Sequence, residues 1–212
     1  HGSFSVTKFI NISKTSAASC VLEGITYDAE SYSALYPFGV VKSVDEDNVY
    51  LTLPPVQHYY EDDIDPSAFP MAAKLNGNTF NFKNICGVLV LQLQGEGTVE
   101  SISFKGYDSS LKLMKVAGDA YVNHSYSSVP SLHMGEESAT SVELSCGAEG
   151  VKLSESESTP FHIILPPATY SSFELNIVLT DGRSMKKSAD KPLVIQRSMR
   201  TTASAFKFED VI

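Results

Sequence analysis

The sequence has no tryptophan, only three cysteines, and no apolar run long enough to cross a bilayer as a helix. Basic residues are scarce as well: 16 Lys and Arg stand against 25 Asp and Glu, giving a formal net charge of −9 at pH 7. These shortages exclude several classes of function. An acidic chain repels phosphate backbones. The one basic cluster, residues 183–187 with Lys191, Arg197 and Arg200 beyond it, is sparse and lacks interleaved aromatics. Nucleic acid is therefore not an expected partner. Cys20, Cys86 and Cys146 are too widely spaced for a CxxC metal or redox motif. They read either as a disulfide plus one free thiol or, the preferred reading, as three small buried hydrophobes.

Charged residues make up 19% of the chain, below the ~25% usual in soluble domains. Ser, Thr and Asn fill the difference, which suits a β-rich surface. No segment sustains an apolar stripe at i, i+3, i+4 and i+7 over three turns, so helices are not expected. Alternation with period two is instead frequent. Phe173, Leu175, Ile177 and Leu179 alternate with polar Glu174, Asn176 and Thr180, the pattern of a strand with one face on a core. Asp181 and Gly182 follow, a hairpin turn leading to a polar edge strand over 183–188.

Further strands read from Val49, Leu51 and Leu53; Phe80 and Phe82; Leu89, Leu91 and Leu93; Ile102 and Phe104; Phe161, Ile163 and Leu165; and Phe206 with Phe208. Pro166 and Pro167 end the fifth set, since proline cannot donate to a ladder. Gln94, Gly95, Glu96 and Gly97 read as the loop of a second hairpin. Many short strands without intervening helices point to an all-β sandwich architecture. Residues 59–78 combine acids, Asp65 with Pro66, Phe69 with Pro70, and Asn76 with Gly77; this stretch reads as strandless. It divides the chain into an N-terminal β part, 1–75, and a C-terminal β-sandwich domain, 76–212.

Catalytic signatures are missing from the sequence: there is no GxSxG, P-loop, GxGxxG or HExxH. The histidines at 1, 58, 124, 133 and 162 show no ligand spacing. No catalytic or cofactor-binding residue is assigned, and the chain is expected not to be an enzyme. A hydrolase with a carboxylate pair would need two of the 25 acids to converge. The acidic run Glu61, Asp62 and Asp63 with Asp65 is a candidate Ca²⁺ loop. It lacks the Gly and final Glu of an EF-hand and reads first as a solvated interdomain loop. Tyr59 and Tyr60, with Tyr27, Tyr32 and Tyr36, could form a binding platform for a glycan or small ligand. Residues 121–137 and 154–159 read as loops that could carry specificity.

Several segments in order resemble the fimbrillin-like surface proteins of Bacteroides-type bacteria. They are residues 32–40, within SYSALYPFGV; 49–57, VYLTLPPVQ; 70–73, PMAA; and 80–89, FNFKNICGVL. After these come 99–104, VESISF; 116–120, VAGDA; 164–170, ILPPATY; 179–182, LTDG; and 195–198, IQRS. The resemblance covers about Tyr32 to Phe208. It implies two tandem transthyretin-like β-sandwich domains with Greek-key-type antiparallel sheets, the first small or incomplete here. It also implies export to the outer membrane or an extracellular fimbrium, with a lipid anchor upstream of this chain. The implied role is a fimbrial subunit or adhesin that assembles by β-strand exchange with other subunits or binds surface ligands. The family carries no catalytic residues or cofactors. A long donor extension is not evident after Phe208, and a stand-alone glycan- or small-ligand-binding surface module is the alternative.

Overall fold

Alternating apolar positions and turn residues produce a chain built almost wholly of short strands. The computed structural model describes residues 33–45, 48–76, 79–123 and 129–209, which belong to one compact unit, Ser31–Ile212. In chain order the strands are β1 (Ser33–Tyr36), β2 (Val41–Val44), β3 (Asn48–Leu53), β4 (Val56–His58), β5 (Met71–Asn76), β6 (Thr79–Phe80) and β7 (Lys83–Asn84). They continue with β8 (Gly87–Gln94), β9 (Thr98–Tyr107), β10 (Gly118–Asn123), β11 (Leu132–Met134), β12 (Val142–Ser145), β13 (Val151–Lys152) and β14 (Thr159–Leu165). The last are β15 (Ala168–Tyr170), β16 (Ser172–Leu179), β17 (Ser184–Ala189), β18 (Leu193–Ile195), β19 (Arg200–Thr202) and β20 (Phe206–Lys207). A single 3-10 turn, Phe38–Val40, is the one helical element among the described residues. The protein is all-β.

The strands form several sheets. The largest runs β17-β16-β9-β12-β4, with β13 also on β9. A second has the order β14-β8-β19, with β20 pairing further along β8. A third runs β11-β10-β3-β2, and a fourth gathers β1, β5, β6 and β7. Strands from either side of residue 75 pair with one another: β3 lies antiparallel to β10, and β4 lies parallel to β12.

Strand β8 sits between two hydrophobic clusters. Leu89, Leu91 and Leu93 join Ile102, Phe104, Phe161, Ile163, Ile177 and Tyr170 in the larger one. Val88 and Val90, on its opposite face, join Leu51, Leu53, Ala120, Val122 and Ile164 in the second. This is why GVLVLQLQ is nearly continuous in apolar residues instead of strictly alternating: a strand covered on both faces has no water side. Each fully buried Leu or Ile here removes enough apolar surface to contribute up to about 3 kcal/mol.

Strand β9 shows how the sequence reconciles two phases. Val99 and Ile102 are both buried although three residues apart. The register with β16 shifts between Val178 and Leu179, so an extra residue is inserted and Glu100 is thrown out to solvent.

Three expectations from sequence need correction. Residues 94–97 do not close a hairpin. They carry the chain from β8 in one sheet to β9 in another, with Gly95 and Gly97 at φ of 134° and 122°. Gly97 also passes so close to Leu179 that an added Cβ would lie 2.6 Å from its Cδ1. The stretch 59–78 is not strandless, because β5 lies within it, pairing with β1 and β7 and burying Ala72 and Ala73. Its sequence, MAAKLN, lacks the β-branched and aromatic residues that mark strands, so burial selects the conformation. The Phe80 and Phe82 strand reduces to β6 and β7, with Phe82 exposed between them.

One corner of the larger core is locked by a buried hydroxyl. Tyr170 is fully buried, meets Phe104 edge-on at 5.4 Å, and donates its hydroxyl to the carbonyl of Pro166 at 3.0 Å. Gly106 makes room for it, since a Cβ there would stand 2.1 Å from the Tyr170 ring. Replacing Tyr170 by Phe leaves that buried carbonyl without its donor and is expected to cost about 1–3 kcal/mol in urea unfolding. Gly106→Ala is expected to cost more, because the ring must move out of a packed core.

Candidate functional site

Where sheets meet, their edge strands either pair, close over, or stay open. The first seam lies between β4 and β14. Gln57 on β4 is buried, and its side-chain amide straddles the backbone of Ile164 on β14. Its Nε2 donates to the Ile164 carbonyl and its Oε1 accepts the Ile164 N–H, both at 2.8 Å. The side chain thus substitutes for a neighbouring strand. Two and four residues earlier on the same strand stand His162 and Pro160, and Pro160 has no N–H to leave open. Gln57→Ala strands both backbone groups of Ile164 and is expected to cost about 2–4 kcal/mol, read as a lower urea midpoint.

The second seam is closed by the C-terminal stretch. β19 and β20 run parallel to β8, pairing with Val88 to Val90 and with Leu93 and Gln94 respectively, and are separated by residues 203–205. At the ends of these ladders, Val88 N–H donates to the Met199 carbonyl, Ala203 N–H to the Val90 carbonyl, and Phe208 N–H to the Gln94 carbonyl, at 2.8–2.9 Å. Phe208 enters the larger core, and Ala203 and Phe206 pack against it. Across the seam stands β17. The Lys187 ammonium lies 4.9 Å from the Phe206 ring and the Arg183 guanidinium 5.9 Å from the Phe208 ring. Such an arrangement, five ladder residues in two short pieces, is a short and interrupted attachment for an inner strand edge. The seam ends in an open cleft of about 380 Å³ lined by Gly95, Glu96, Glu155, Arg183, Lys207 and Phe208. β17 itself forms the edge of the largest sheet, polar and lysine-bearing as the sequence indicates.

The acidic loop has a structural task. Asp65 is buried. Its Oδ1 accepts from the Ser67 N–H at 2.9 Å and the Ser67 hydroxyl at 2.6 Å, and its Oδ2 from the His58 N–H at 2.9 Å and His58 Nδ1 at 3.2 Å. Burial alone would raise this carboxyl. The Ser67 and His58 donors outweigh it and hold Asp65 below its ordinary value. Glu61, Asp62 and Asp63 are exposed, and Asp63 lies 3.8 Å from Arg200. Among the described residues no three of His, Cys, Asp and Glu gather as a metal-ligand group.

The other singled-out residues are dispersed. Tyr59 packs on Phe161 at 5.4 Å, facing the core instead of a ligand, while Tyr60 and Tyr36 are exposed and Tyr27 and Tyr32 lie outside the described residues. Residues 154–158 form a surface loop in which the Ser154 hydroxyl accepts from the N–H groups of Ser156 and Glu157, and Thr159 already begins β14. Residues 121–137 are not one loop: β10 ends and β11 lies within them. Cys86 is buried and Cys146 half-buried, both are free thiols, and burial pushes each up to about 12. Cys20, His1 and His124 fall outside the described residues. No helix among the described residues is long and apolar enough to cross a membrane.

His162 is the one buried side chain among the described residues whose polar atom, Nδ1, lacks a partner. Burial, then the positive charge of Arg200, depress its basicity, against the opposing pull of Asp63 and Asp62. Below its ordinary value of 6.5 the unfolded chain takes up a proton that the folded chain resists, so stability falls as pH drops. Asp65 acts lower. Its contribution is complete above its ordinary 3.8 and is lost as pH falls through its depressed folded value. Urea midpoints measured from about pH 8 to pH 3 are expected to fall in two stages, and His162→Leu should remove the first.

No protein-family model matches the chain, and no curated protein matches it. Among solved structures, a candidate cell adhesion protein from Bacteroides fragilis aligns over 78% of this chain with 14% identity and a TM-score of 0.36. The chain spans about half, 54%, of that protein's length.

Proposed function

We propose that the chain is a non-catalytic subunit of a bacterial surface filament, or a surface adhesin, that assembles by β-strand exchange. The reading starts from the ordered fimbrillin-like segments in the sequence. The observation that carries it is the second seam: the inner strand β8 has one edge occupied by β19 and β20 alone, in two pieces. A strand from another subunit that ran unbroken along β8 would form more main-chain bonds than the resident segment, with apolar side chains taking the places of Ala203, Phe206 and Phe208. In this reading the chain consists of transthyretin-like sandwiches, its partners are other subunits or surface ligands, and its location is the outer membrane or a fimbrium.

Two experiments test the reading. A chain ending at Gln196 should capture a synthetic peptide of residues 197–209 and recover its urea midpoint; a truncated chain that stays folded and ignores the peptide contradicts strand exchange. Immunogold labelling of intact cells of the source bacterium should place gold along or at the ends of filaments. Gold scattered over the outer membrane would favour the adhesin without a filament, and no surface gold would overturn both.

A further inference from the structure

The sheet β11-β10-β3-β2 buries one face and presents the other. Leu51, Leu53, Ala120 and Val122 point into the second core, Val49 is buried in alternation with Tyr50, and Leu132 and Met134 pack against the core. The intervening residues therefore share the outer face. Register places three aromatic residues there in one row: Tyr50 opposite Tyr121, and Tyr121 opposite His133. Their ring centroids are 5.9 Å apart at an interplanar angle of 47°, then 4.8 Å apart at 15°. Tyr50 is 36% exposed and His133 lies open on the edge strand β11.

Polar groups flank the row on both sides. One rung along, Asn123 Nδ2 donates to Asn48 Oδ1 at 3.2 Å. On the other side, Asp119 accepts from Lys42 Nζ at 2.8 Å and from the Thr52 hydroxyl at 3.2 Å. The Asp45 side chain acts on the Tyr50 hydroxyl and raises its pKa. Contact between successive rings orders the row before any ligand arrives.

We propose that this ladder is a binding site for a neutral oligosaccharide. Ring faces carry partial negative charge and match the apolar C–H face of a sugar ring. Amides on one flank and a hydroxyl with a carboxylate on the other can exchange hydrogen bonds with the sugar's hydroxyls. Lys42 and Asp119 cancel each other's charge, so the flanks have no net attraction for an anionic ligand. Three rings in a line on an open sheet face suit an extended chain of sugars, whereas a single sugar would call for an enclosing pocket. Cross-strand aromatic pairs also stabilise sheets, so the test must separate the two roles. The inference does not rest on strand exchange, and either can fail alone.

The full chain would be titrated with cellotetraose, maltotetraose, mannotetraose and chitotetraose while the Tyr and His ring resonances are followed by NMR. At least one sugar is expected to give saturable shifts confined to residues 50, 121 and 133 and their neighbours. Tyr121→Ala should weaken binding about tenfold or more, and Tyr121→Phe should hold it within about threefold. If Tyr121→Ala fails to fold, His133→Ala on the edge strand carries the same expectation. Absence of shifts with all four sugars overturns the proposal. So does binding that survives both alanine variants, or ring shifts that depend on protein concentration without sugar, which would assign the face to self-association.

Discussion

Burial of β8 on both faces is the constraint on which the rest depends. A strand with solvent on neither side can tolerate no polar residue until it leaves the cores, and the first ones, Gln92 and Gln94, come only at its end. Everything around it is arranged to cover it: the large sheet through Leu89, Leu91 and Leu93, the β3 and β10 sheet through Val88 and Val90. Gly87 lies where the strand begins, so close to Ile195 and Gln196 that a Cβ would come within 2.3 Å of the Gln196 carbonyl. Removing either cover would expose half of the most apolar segment in the chain.

An inner strand must also have its backbone bonded on both edges, and the two sides are treated unequally. β14 supplies seven register pairs on one side. The other receives five residues in two pieces. The seam beyond β14 is closed by one side chain, Gln57, in a dry site where a lost hydrogen bond is costly. The seam beyond β8 is closed by Phe208, which enters the larger core, and by Phe206 with the long cationic side chains of Lys187 and Arg183 at the rim. One edge of β8 is thus paired without interruption and the other in two pieces, and the strand-exchange proposal rests on that difference.

Much of this was legible in the sequence. Alternation located β3, β8, β9, β14 and β16, Asp181 and Gly182 located the β16–β17 turn, and the polar return strand proved to be an edge. What local pattern could not supply was partnership. Gly95 and Gly97 look like a hairpin loop because positive φ serves a tight turn and a sheet-to-sheet arch equally well. β5 escaped notice because alanines carry no strand signature. The row of Tyr50, Tyr121 and His133 spans 83 positions between its first and last members and exists only once register is known, while Tyr59, attractive beside Tyr60, turns inward onto Phe161. Gln57 stood within a segment noted for its resemblance, yet a buried glutamine cannot be told from a surface one by type.

The central claim, that two cores share β8 and so stand or fall together, is open to native-state hydrogen exchange. Amides of Leu89 and Leu91 in β8, Ile102 in β9 and Leu51 in β3 would be followed in the intact chain. One common opening free energy is expected for all four, equal to that of global unfolding. If Leu51 and its neighbours instead open at a free energy lower by more than about 2 kcal/mol, the β3 and β10 side is a separate unit and the shared strand does not couple the cores.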